Sequence, residues 1–117
     1  MLKKIIVTNK TGIAFVVRVV EQGERYGRNM MLTHEENEPL VEFYDARHPF
    51  DFDLDGNQLG QFVSRYYIST LAKSEGGINL CGHYEGAILE EEPMRLVQEF
   101  MKPYNPEQYS HDWSLAG

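Results

Sequence analysis

The sequence predicts an α+β fold: an antiparallel β-meander of about four strands followed by two helices packed on one face, with a short extended segment between the helices. Three observations carry this expectation. The first 46 residues run as β-rich segments punctuated by turn residues. From Asn57 the apolar spacing changes to steps of three and four. A second stripe of that kind, opened by a proline, follows Glu92.

The opening run "KIIVT" is short and β-branched, and "NKTG" (9–12) supplies residues that tolerate a tight turn. "IAFVVRVV" (13–20) is apolar at nearly every position, which marks a strand buried on both faces. After a turn at Gly23 come "RYGRNMMLT" (25–33) and "PLVEFYDA" (39–46), separated by the charged tip "HEENE". Short links between successive strands argue for antiparallel neighbours. Leu59, Phe62, Val63, Tyr66, Thr70 and Leu71 then form one stripe of an expected helix, stopped by "EGG" at 75–77. "INLCGHYEGAIL" (78–89) is expected to be extended. In "EEEPMRLVQEFMK" Pro93 suits a first helical turn, the acids suit its positive end, and Met94, Val97, Phe100 and Met101 make the buried stripe. Pro103 and Pro106 end that helix. One domain is therefore expected over 1–102, with 103–117 an irregular tail docked on it, since three large aromatics (Tyr104, Tyr109 and Trp113) seldom stand free.

Composition narrows the function. At 117 residues, 42% apolar and 25% charged, the chain is long enough for one core and too apolar for disorder. No apolar run reaches the roughly 20 residues of a membrane span, and "IIV" is too short for a signal-peptide core. A single cysteine excludes an internal disulfide and fits a reducing compartment, so the expected location is cytoplasmic. The formal charge of −7 repels phosphate backbones and disfavours nucleic acid as a partner.

The sharpest motif is Asp51-x-Asp53-x-Asp55-Gly56. Its first six positions match a calcium loop, but the twelfth, where a bidentate glutamate belongs, is Phe62, and Pro49 stands where a helix should enter. Asp51, Asp53 and Asp55 are the metal candidates, and the expectation is that they hold none and form the polar entry to the following helix. Cys81 with His83 invites a nucleophile, yet on a strand they merely share a face, and free cysteine is most often buried packing. His34, His48, His83 and His111 lack zinc-ligand spacing. There is no phosphate loop, no nucleotide fingerprint and no catalytic triad order, so neither a cofactor nor a catalytic residue is expected.

What remains is binding. Arg18, Arg25, Tyr26 and Arg28 lie on or beside one hairpin and form the expected partner-binding group, because arginine and tyrosine are enriched at interface hot spots. The acidic tip Glu35–Glu38 would steer approach. The expectation is a small non-enzymatic protein that acts by binding another protein, of accessory, immunity or inhibitor type. The alternative is a small-molecule or calcium-binding domain with some catalysis in a crevice between sheet and helix.

Overall fold

The structure, a computed structural model, describes residues 2–80 and 86–109. Lys4–Thr8 (β1) and Ala14–Val20 (β2) form an antiparallel hairpin. Its turn is closed by Asn9, whose Oδ1 accepts from the Thr11 and Ile13 N–H groups at 3.1 and 2.8 Å, while Nδ2 donates to the Gly86 and Ile88 carbonyls. The expected turn residues are thus also a tie to a distant segment.

β2 is hydrogen-bonded on both sides, as its apolar run predicts. Its second partner is Leu40–Asp45 (β5), and with Asp51–Phe52 (β6) and Gln58–Tyr67 (β7) the sheet runs β1-β2-β5-β7-β6, all antiparallel. Arg25–Thr33 does not supply a meander strand. It forms a separate two-stranded ribbon, Arg25–Tyr26 (β3) with Leu32–Thr33 (β4). The reason is backbone conformation: Gly27, Asn29 and Met30 all take positive φ, which breaks the extended run. The turn drops Met30 onto the sheet, where it packs with Val16, Tyr44 and Leu59.

The expected helix from Asn57 is also corrected. Asp51–Phe52 (β6) leads through a turn into Gln58–Tyr67 (β7), a ten-residue strand, and only Ile68–Lys73 (α1) is helical. Two bulges produced the helix-like spacing. Along β5, Phe43 faces Ser64 and Tyr44 faces Phe62, so Val63 is an extra residue. Along β6, Asp51 faces Gly60 and Phe52 faces Gln58, so Leu59 is another. An extra residue turns a period of two into three. Leu59, Phe62 and Arg65 therefore share one face, as on a helix. Asp51, Asp53 and Asp55 therefore lead into a strand and not into a helix.

α1 starts against a distant acid. The buried Glu38, expected at an exposed tip, accepts from the Ser69 N–H at 2.9 Å and the Ser69 hydroxyl at 2.6 Å. That satisfies one of the free N–H groups at the helix start. Ile78–Asn79 (β8) pairs with Ile88–Leu89 (β9) before the main helix, Glu91–Met101 (α2). Here the expected stripe is the one observed. Met94, Val97, Phe100 and Met101 are buried against Phe15, Val17, Val19, Val41 and Phe43 of the sheet. The architecture is thus one antiparallel sheet with one principal helix, not two. Beyond α2, Tyr104 is buried and its hydroxyl donates to the Leu2 carbonyl at 2.6 Å. Among the described residues no helix is long and apolar enough to cross a membrane.

Candidate functional site

The sheet face away from α2 carries the charged chemistry. Arg18 and Glu42 interrupt apolar strands at matching register, and Arg65 stands opposite Glu42 on β7. Glu42 is wholly buried. Its Oε1 lies 3.2 Å from Arg18 Nη1 and accepts from the Tyr44 hydroxyl at 2.9 Å. Its Oε2 accepts from Arg65 Nε and Nη2 at 3.0 and 2.9 Å. Burial, with the Glu42 carboxylate beside it, pushes the Tyr44 phenol well above its usual range. A lone charge in the middle of each apolar strand was the sequence signal for this triad.

The expected binding residues gather above this row. Arg18 Nη2 also donates to the Arg25 carbonyl at 2.9 Å, which holds the β3–β4 ribbon over the sheet. Arg25 is exposed, and its Nη1 reaches the Met30 carbonyl at 3.5 Å. The Tyr26 ring is half-buried, with the Arg65 guanidinium 4.7 Å from its centroid. Arg65 lies equally close to Phe62, so its cation sits between two aromatic faces. Arg28 is exposed and makes no ion pair among the described residues.

Arg28 borders a depression of about 620 Å³ whose other walls are Asn29, Phe50, Asp51, Gln61, Phe62 and Arg65. Phe50, Phe52, Leu54 and Phe62 are exposed along this β6–β7 edge. Sequence reasoning missed Phe50, Phe62 and Arg65 as site residues.

The three aspartates do not converge. Asp51 is buried beside the depression, Asp55 is exposed, and Asp53 builds the turn. Asp53 Oδ1 accepts from the Asp55 and Asn57 N–H groups, both at 2.9 Å, and Oδ2 lies 3.6 Å from Lys4 Nζ. Burial alone would raise its carboxyl, but the Asn57 and Asp55 hydrogen bonds outweigh it and hold the group below its usual range. Among the described residues no three His, Cys, Asp or Glu side chains are grouped to hold a metal ion. His34 is buried, its Nε2 2.6 Å from the Glu38 carbonyl, and His48 stacks on Phe50. The Cys81 and His83 reading, like His111 and Trp113, lies outside the described residues.

The Asp53 oxygens already serve the turn, so calcium is expected to leave the thermal melt unchanged relative to chelator. A site occupied at about a hundredfold above its dissociation constant would add about 2.7 kcal/mol. A rise of that size, lost in Asp53→Asn, would overturn this expectation. The chain matches no protein-family model, no curated protein and no solved structure.

Proposed function

We propose that this protein is a cytoplasmic, non-enzymatic binding protein that acts on a protein partner, of accessory, immunity or inhibitor type. Its contact surface comprises the β3–β4 ribbon, with Arg25, Tyr26 and Arg28, and the adjoining β6–β7 edge. Arg18 serves that surface from beneath by fixing the ribbon. One observation carries the reading: the exposed rings of Phe50 and Phe62 line one depression with Arg28, and Phe52 and Leu54 are exposed on β6 and the turn that follows it. Exposed apolar groups beside arginine and tyrosine are the composition of interface centres, and their burial would supply the affinity. Glu35 and Glu36, exposed on the neighbouring loop, would act at longer range on the association rate. The net charge of −7 argues against a nucleic-acid partner.

The test is site-specific photo-crosslinking in lysate of the native host. A crosslinker at Phe52 is expected to yield a discrete protein adduct. The same group at Glu107, exposed on a turn after α2, is expected to yield none. The Phe52 adduct should fade in Arg25→Ala and in Arg28→Ala, each verified as folded by its melt. Equal adducts at both positions, or none at Phe52, would reject the proposed surface.

A further inference from the structure

We infer that the depression between β6 and the Gly27–Met30 turn is a receptor for a guanidinium group, an arginine side chain of the partner, with Asp51 as its counter-ion. This deepens the partner-binding reading above and rests on it.

Glu42 is met by two arginines and a tyrosine, Glu38 by Ser69, and Asp45 by Arg47. Asp51 is 7% exposed, yet among the described residues its carboxylate has neither a hydrogen bond nor an ion pair. That carboxylate lines the depression, where the fold supplies no donor to it and an incoming group can reach it. The nearby arginines do not fill it. Arg65 commits two nitrogens to Glu42, and Arg28 at the rim makes no ion pair.

The walls decide which donor fits. Phe50 and Phe62 flank the depression, and Phe62 already receives the Arg65 guanidinium at 4.7 Å from its centroid. A planar cation can stack on such rings and still meet a carboxylate with two parallel N–H groups; a compact ammonium can do only one of these well. A hard metal ion would need several oxygen ligands, and among the described residues lining the depression Asp51 is the one acid. Arg28 would repel a free cation but is placed to meet a carbonyl or an acid on the same incoming segment. That arrangement suits a peptide-borne arginine. The overall charge of −7 draws basic segments toward the surface.

The experiment uses the isotope-labelled full chain and three small probes followed by amide chemical shifts. N-acetyl-arginine methylamide is expected to move the Asp51, Gln61 and Phe62 amides saturably in the millimolar range. The neutral citrulline analogue, of the same shape, should bind at least about tenfold more weakly, and the lysine analogue should fall between. Asp51→Asn should abolish the arginine response without lowering the melting temperature, because the carboxylate has no hydrogen-bond partner to lose among the described residues. Phe50→Ala should weaken it with the backbone intact. Equal shifts from citrulline, undiminished binding in Asp51→Asn, or no saturation by about 50 mM arginine probe overturns the receptor. A Phe52 adduct that persists in Asp51→Asn sinks the receptor alone. Probe binding without any adduct sinks the partner reading and keeps the guanidinium site.

Discussion

Glu42→Ala is expected to lower the unfolding free energy by about 3–5 kcal/mol. Glu42 is wholly buried and accepts hydrogen bonds from Arg18, Arg65 and Tyr44. Removing the carboxylate leaves two guanidinium groups, 13% and 28% exposed, facing each other across a cavity with no counter-charge. The Tyr44 hydroxyl loses its acceptor as well. Urea denaturation of the variant against the parent measures the effect, and a loss below about 1 kcal/mol would refute this account. Replacing the whole triad at once, with methionine for both arginines and leucine for Glu42, is expected to cost far less. A buried ion pair can be near neutral against an apolar set of the same volume, whereas a broken one is not.

The triad also sets register. Arg18 faces Glu42 and Glu42 faces Arg65, so one row crosses β2, β5 and β7. A slip by one residue would carry each charge to the face packed against α2. The same row holds Arg65 between Tyr26 and Phe62, and so shapes the wall of the candidate site. Glu42 therefore supports both the sheet and the wall of the candidate site.

How much of this was legible in the sequence depends on what fixes each element. β1, β2, β5 and α2 were readable because their own apolar pattern sets their burial. β7 was not. Its two extra residues, Leu59 and Val63, imitate a helical period, and a bulge is defined only by the partner strand. The β3–β4 ribbon was misread because Asn29 and Met30 take positive φ without being glycine. Arg25, Tyr26 and Arg28 stood out by residue type. Asp51 stood out only as a metal candidate and not as a partner-binding group, since in "DFDLD" the aspartates look like the wet side of a strand. The Asp53 turn decides otherwise. Its hydrogen bonds fix the pairing of β6 with β7, and that parity turns Asp51 inward and leaves Phe52 and Leu54 exposed.

Gly60→Ala is expected to destabilise the fold by at least about 3 kcal/mol, where Gly56→Ala, four residues earlier, costs only about 1–2 kcal/mol. Both glycines have positive φ, 83° at Gly56 and 117° at Gly60, so both substitutions carry backbone strain. They differ in space. A Cβ at Gly56 meets nothing within 4 Å. At Gly60 it would overlap the Asp45 carbonyl oxygen and come within 2.8 Å of the Asp45 carbonyl carbon and 3.1 Å of the Ala46 Cα. Those are backbone atoms at the end of β5, held in place by the β5–β7 ladder, and they cannot rotate aside like a side chain. Relief therefore requires β7 to move away from β5 at the point where it also pairs with Asp51. The second consequence follows from that pairing: a folded remnant of Gly60→Ala should lose the arginine-probe response through displacement of Asp51, while Gly56→Ala retains it. Paired thermal melts separate the two glycines. Equal losses would mean that φ strain alone sets the cost and that the close approach to Asp45 is relieved without moving the strand.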